Sequence, residues 1–427
     1  MPGHEAQEAV RRRGFWRIAG AGAAFQGGSA AVDSATVVAS LTHMLTGSAL
    51  AVGYASAVLR LGWLLPQLPV GYLAERAKRR MPFYVFGAFG RAAAAGAIAL
   101  LLWRGADWPQ VDWPPEPLAA GFLALWTAYA FVSGVVAVPY NDIVGRAIPS
   151  NRRSRMLAWR FFGGGLLAIA AAGALRLALE VMPPLQAYAF MFALGSALMF
   201  LSSALFVSAG EPPSSPGRRP AVRSAGAADF LREGLVTFRQ NRAFRLFLIF
   251  HWLGSATLMA LPFYIVAARE SGIGLAGVGT LLAAQTAGAL VSNPLWGRIG
   301  DGMGKLPLLW CVTFLRLMAP ALMLALLAAG AGILGFAALY LVIGAMMNGV
   351  TISYLSFLME ISPDDRRPAY SAWFNTFAAP AALSPLLGAI LASLIATPAV
   401  FAAAITAALA QFAVLKQLDR LAGEAAP

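Results

Sequence analysis

Apolar positions along the 427-residue chain gather into twelve long runs, at residues 15–41, 47–72, 83–103, 118–141, 157–180, 185–207, 244–268, 274–297, 307–329, 332–357, 370–394 and 397–417. Short polar and basic loops separate them. A run of about 20 apolar residues carries a helix across the hydrocarbon core of a bilayer. Lipid offers the backbone no hydrogen-bond partners, so a spanning segment is a helix or part of a closed barrel. The runs are far longer than the roughly 10-residue alternating segments of a barrel. The pattern therefore predicts an all-α membrane protein with twelve transmembrane helices. One long break interrupts it, at 210–243. Glu211 to Pro220 is rich in Pro, Ser and Arg and reads as a flexible linker. Beyond it Phe230, Leu231, Leu235 and Phe238 recur at helical spacing, with Arg232, Glu233 and Arg239 among them. This spacing predicts an amphipathic helix on the membrane surface, or else an extension of the seventh span. The expected organisation is an N-terminal six-helix half at 1–209, a cytoplasmic linker at 210–243 and a C-terminal six-helix half at 244–427.

Composition agrees with the pattern. Apolar residues make up 59% of the chain and charged residues 12%, about half the usual charged share of a soluble protein. The net charge of +13 raises the question of nucleic acid, but the arginines sit between apolar runs rather than on a soluble face. With the N-terminus inside, the inner loops and tails hold 26 Arg and Lys residues, while the outer loops hold little beyond Arg104 and Arg269. The positive-inside rule then places both termini in the cytoplasm. The loop after the third span, with Trp103, Trp108, Trp113, Asp107, Asp112 and Glu116, fits an outer interface. A single cysteine, Cys311, excludes an internal disulfide. Arg11, Arg12 and Arg13 lead into a full-length span without a secretory cleavage pattern. Arginine far outnumbers lysine and alanine is abundant, which suggests a GC-rich bacterial genome and an inner-membrane location.

Two loops occur twice. Gly71 and Glu75 follow the second span, with Arg76, Lys78, Arg79 and Arg80 behind them; Gly297 and Asp301 follow the eighth, with Arg298, Gly302, Gly304 and Lys305 around them. The copies lie 226 residues apart, and Pro82 and Arg91 pair with Pro307 and Arg316 at an offset of 225. Pro149, Arg152, Arg153 and Trp159 pair with Pro363, Arg366, Arg367 and Trp373 at 214. On this loop grammar the chain resembles the major facilitator superfamily, whose signature loop Gly-x-x-x-Asp/Glu-Arg-x-Gly-x-basic-basic lies between spans two and three. The first copy has Glu75 for the usual Asp and Lys78 for the Gly. The resemblance covers nearly the whole chain and implies two parallel repeats, alternating access and a solute site between the halves near the midplane. Gly at such a loop permits a tight exit from the membrane. A carboxylate there can pair with basic groups or with a helix N-terminus. Gly71, Glu75, Arg76, Gly297, Asp301 and Lys305 are thus candidate gating residues; the competing reading is plain loop charge.

Ionisable residues deep in a span are costly and are functional candidates. Asp33 is the one deep carboxylate, in span one. It is either the coupling-proton carrier, a role the resemblance also implies, or the partner of Arg60 in a fixed ion pair. Arg60 and Arg91 are substrate-binding candidates for an anionic group; in the competing reading Arg60 pairs with Asp33, and Arg91 and Arg316 bond carbonyls at helix kinks. Trp126, Tyr129, His251 and Asn348 lie on spans that line the cavity in the resembling family. Gly163, Gly164 and Gly165 lack the strand–helix context of a phosphate loop and read as close helix packing. No nucleotide motif, metal cluster or nucleophile–base set is visible, so no cofactor, no metal and no enzymatic activity are expected. The predicted function is secondary active transport of a small solute, an anion being one candidate, coupled to protons, by a monomer in a lipid bilayer. A non-transporting assembly factor or sensor on the same fold, or a lipid or drug exporter, is the alternative. Drug-export antiporters often carry a Gly-Pro pair in span five, which this chain lacks.

Overall fold

In the computed structural model, residues 2–77, 79–106, 116–148, 150–212, 227–363 and 367–425 are described. Lys78, Asp107, Trp108, Asp112, Trp113, Pro149, Arg366 and residues 213–226 of the linker lie outside them. The described residues are helical throughout. Ten helices among them are long and apolar enough to cross a membrane. The chain divides into two compact units: residues 1–214 with Gly272–Thr286, and Ser215–Ser271 with Ala287–Pro427.

The first two predicted spans, the two not among these ten, both break. Helix α1 (Pro2–Ala31) ends where Asp33 turns its carboxylate back on the chain. Asp33 Oδ1 accepts the backbone N–H groups of Ala35 and Thr36 at 3.1 and 2.9 Å, and the Thr36 hydroxyl at 2.7 Å. A side chain that satisfies the first free N–H groups of a new helix is an N-cap. Here it opens a π-helical turn at Ser34–Val38, which passes into α2 (Ala39–Thr46). Such turns concentrate at functional sites. The second span splits at Pro66 into α3 (Ala49–Leu64) and α4 (Gln67–Arg76), because proline cannot donate to the preceding turn.

The rest of the first unit is α5 (Met81–Gly105), α6 (Glu116–Gly134), α7 (Ala137–Ala147), α8 (Ser150–Val181) and α9 (Pro184–Ala209). Helix α1 packs along α8 and α9, α5 along α6 and α9, and α3 along α6. The α3–α6 approach is close because two glycines allow it. A Cβ on Gly62 would meet the backbone of Ala130 and Phe131, and one on Gly134 would meet the carbonyl of Gly62.

The second unit holds α10 (Ala227–Gln240), α11 (Arg242–Glu270), the greater part of α12 (Leu275–Gly302), α13 (Lys305–Ala328), α14 (Ile333–Ile361), α15 (Arg367–Ala378), α16 (Ser384–Leu394) and α17 (Thr397–Ala425). Its core centres on Phe247, which is ringed by Phe250, Tyr354, Phe357 and Phe374. The amphipathic segment after the linker is a separate helix, not an extension of the seventh span. Asn241 interrupts it and caps α11 through the Phe244 amide at 3.0 Å. On α10, Gly234 lies against Trp373 and Phe238 packs near Phe377 at 6.2 Å.

Candidate functional site

A cavity of about 170 Å³ opens inside the first unit. Water occupies about 30 Å³ per molecule in the liquid, so the space suits a small solute. The cavity takes Phe25 from α1, Trp63 from α3, Tyr84 and Arg91 from α5, Tyr140 and Asn141 from α7, Arg160 from α8 and Ser202 from α9. Gly22 makes room for it: a Cβ there would fall on the aliphatic stem of Arg160. One wall is a packed aromatic group, with Phe206 4.2 Å from Tyr84 and 5.1 Å from Tyr140 between ring centres.

Two cations face this space. Arg91 is 3% exposed, and its guanidinium lies 4.1 Å above the Phe25 ring. Arg160 donates to the Tyr140 hydroxyl at 2.8 Å and lies 5.5 Å from the centre of that ring. Both leave a buried Nε without a hydrogen-bond partner. No carboxylate pairs with either arginine among the described residues. A buried cation without a counter-ion is costly, and an anion in the cavity would offset that cost.

Arg91 is thus the one substrate-binding candidate from the sequence that the structure places at the cavity. Arg60 is half-buried on α3 and forms no ion pair with Asp33, whose carboxylate is taken by its own turn. Trp126 is fully buried; its indole N–H donates to the Ala55 carbonyl at 2.9 Å and its ring stacks on Tyr129 at 4.8 Å. The hydrogen bond fastens α6 to α3. The Tyr129 hydroxyl is directed at the Met199 sulfur at 3.8 Å. In the second unit, His251 packs against Tyr354 and Phe374, with its Nδ1 buried and unpartnered. Asn348 donates to the Ala289 carbonyl at 3.0 Å and to the Asn293 side-chain oxygen at 3.2 Å. Of the candidate gating residues, Gly297 faces open space and Lys305 Nζ donates to the Gly300 carbonyl at 2.6 Å. The side-chain surroundings of Gly71, Glu75, Arg76 and Asp301 lie outside the described residues.

In the sequence Arg160 counts among the loop arginines, and Tyr84, Tyr140 and Asn141 do not stand out. The signal for Arg160 is its depth: it lies inside the fifth apolar run, next to Phe161 and Phe162. Glu211 reads only as the start of the linker. In the fold it follows α9 and accepts the amides of Arg80 and Met81 and the Arg146 guanidinium, each at 2.9 Å. Asp142 joins the same group through Arg146 at 2.6 Å. Burial pushes the Glu211 carboxyl up, but these three donors outweigh it and hold it below the usual carboxylate value.

The repeat continues inside the helices. Phe25, Arg91 and Tyr129 each have a like residue 225 positions on: Phe250, Arg316 and Tyr354. The two sets are arranged differently. Arg316 donates to the Tyr354 hydroxyl at 2.5 Å and lies over its ring at 5.0 Å, whereas Arg91 lies over Phe25 and borders the cavity. Arg316 therefore bonds a side-chain hydroxyl, and no carbonyl bond is seen for it or for Arg91 among the described residues.

Comparison with known proteins points the same way. Residues 20–366 match the family described as MFS/sugar transport protein. A POT family transporter solved in complex with 5-aminolevulinic acid superposes with a TM-score of 0.68 at 12% identity, over 96% of each chain. A mutant of the nucleoside transporter NupG gives 0.66 at 13%, over 95% of this chain and 99% of that one. At such identities the likeness establishes the fold alone. Uncharacterized protein Rv2209 of Mycobacterium tuberculosis and Uncharacterized protein Mb2232 of Mycobacterium bovis are each 24% identical over 295 residues, 67% of this chain. The match spans 55% of the length of these relatives. With a family match over most of its length, the chain belongs to the MFS/sugar transport protein family and is a multi-pass membrane protein.

Proposed function

We propose that this protein carries a small anionic solute by alternating access, and that Arg91 and Arg160 hold the anion in the cavity of the first unit. The observation that carries the reading is a cavity with two arginines and no carboxylate partner among the described residues. A preformed concave site with a few convergent polar groups is the usual form of a small-molecule site. Similarity to a transporter solved with 5-aminolevulinic acid is compatible with a small acid as cargo.

Asp33 is the proposed proton carrier. It caps the break between α1 and the π turn, so a change in its charge changes the strength of that cap. A monoanion moving with one proton is electroneutral, which suits a carrier whose cavity is cationic. The basic loops support placing both termini in the cytoplasm and the protein in a bacterial inner membrane. The Glu75 and Asp301 loops are proposed to stabilise one conformation and release in the other.

The test is thermal unfolding of the detergent-purified protein against acetate, benzoate, phosphate, choline and glucose, followed by uptake into proteoliposomes under an imposed pH gradient. A ligand that binds only the folded state stabilises it by about 2.7 kcal/mol at a hundred times its dissociation constant. An anion-only shift that disappears in Arg91→Gln, with uptake lost in Asp33→Asn, is expected. A shift from choline or glucose that survives Arg91→Gln refutes the anion site. Normal pH-driven uptake by Asp33→Asn refutes the proton assignment.

A further inference from the structure

The two arginines bring shape as well as charge to the cavity, and any selectivity they confer rests on the anion reading above. Each guanidinium lies over an aromatic ring, Arg91 over Phe25 and Arg160 over Tyr140. Ring faces attract cations, and Arg160 also donates through Nη1 to the Tyr140 hydroxyl. What lacks a partner is the Nε of both residues, each buried and unpaired. A guanidinium edge presents N–H donors in a planar fork that fits a carboxylate bidentately. The surroundings of that edge are aromatic rather than hydrophilic. Trp63 and Tyr84 complete the wall with Phe25 and Tyr140, and the uncharged polar groups among the lining residues are the tyrosine hydroxyls, the Trp63 indole N–H, Asn141 and Ser202.

Arginine edges fit phosphate as well as carboxylate, but an aromatic wall gives phosphate no apolar contact. A carboxylate on a flat conjugated ring supplies that contact. Its oxygens take the guanidinium edge, and its ring stacks in the offset or edge-on manner that aromatic pairs prefer. The volume of about 170 Å³ admits a single ring. We infer that the cavity is selective for small aromatic monocarboxylates, with the acid group on Arg91 and Arg160 and the ring against Phe25, Trp63 and Tyr84.

The experiment is isothermal titration of the full-length protein in detergent with four probes: benzoate, acetate, inorganic phosphate and the uncharged benzamide. Benzoate is expected to bind at least tenfold more tightly than acetate or phosphate, and benzamide not to bind measurably. Trp63→Ala should lower benzoate affinity several-fold while leaving acetate unchanged, and Arg160→Gln should weaken both. Acetate or phosphate binding as well as benzoate overturns the aromatic selectivity but leaves an anion site standing. Benzamide matching benzoate shows apolar partition and overturns the inference. If no anion binds, the anion reading itself fails together with this one. Because the comparison among probes is made on the unaltered protein, a variant that fails to fold does not remove the test.

Discussion

Removing the Glu211 side chain isolates one clamp, and the structure sets the size of the stability change. Its carboxylate, 10% exposed, accepts two amides at the start of α5 and the Arg146 guanidinium. Glu211→Ala removes all three bonds. Bonds to a charged group contribute about 1.5–3 kcal/mol each, but the freed amides lie at a helix end within reach of water. Arg146 is not stranded either, because it keeps Asp142 at 2.6 Å and the Pro212 carbonyl at 2.5 Å. The full cost of about 3–5 kcal/mol for orphaning a buried charge therefore does not apply, and about 3 kcal/mol is expected. Glu211→Gln keeps an oxygen for the amides and loses the charge, for about 1–2 kcal/mol. In a unit of this size 1 kcal/mol moves the midpoint by roughly 2–4 °C, so Ala should lower it by roughly 6–12 °C and Gln by roughly a third to two-thirds as much. The effect has a pH signature. A carboxyl held below its ordinary value stabilises fully above that value, about 4.3. The contribution disappears as pH falls through the lowered folded value. The gap between wild type and Glu211→Ala should thus be constant near neutrality and close in acid below that range. Thermal unfolding in detergent at a series of pH values measures it. A midpoint for Glu211→Ala within 1 °C of wild type at pH 7, or a gap that widens in acid, refutes the clamp.

Three further outcomes are expected. Tyr354→Phe removes the acceptor that Arg316 holds at 2.5 Å and should cost about 1.5–3 kcal/mol. Tyr129→Phe loses a contact to a thioether at 3.8 Å and one to the Ser133 side chain, both neutral, and should cost about 1 kcal/mol or less; equal losses in chemical unfolding would contradict the asymmetry of the two repeats. Gly22→Val places a branched carbon on the stem of Arg160 and should weaken anion binding by about tenfold or more with little change in the unfolding midpoint, as titration would show. Asp33→Ala should destabilise by about 1 kcal/mol through loss of the cap. Asp33→Asn, which keeps an acceptor, should leave stability nearly unchanged while abolishing proton-driven uptake into vesicles.

Most of the fold class was legible in the chain because hydrocarbon imposes a single rule on the backbone. Any segment that crosses must satisfy its own hydrogen bonds, so length and apolarity suffice to mark helices such as Met81–Gly105 and Pro184–Ala209. The repeat was legible in the loops because their Gly, acidic and basic residues keep a fixed spacing. The breaks were less so. The second run, 47–72, passes through Pro66 with no break predicted there, and Asp33 reads as a charge buried within a helix; only the folded turn shows it capping one. The site was legible in part. A lone deep arginine stands out by its desolvation cost, and Arg91 does border the cavity. Arg160 did not stand out, because a residue near a run's end looks like a loop residue until the depth of its helix is known. Whether a polar residue faces a cavity or a neighbouring helix depends on rotation about the helix axis, and in an almost uniformly apolar helix the sequence carries little trace of that rotation. Trp126 and Tyr129 against α3 and α9, and Tyr84 and Tyr140 at the cavity wall, were decided by packing alone.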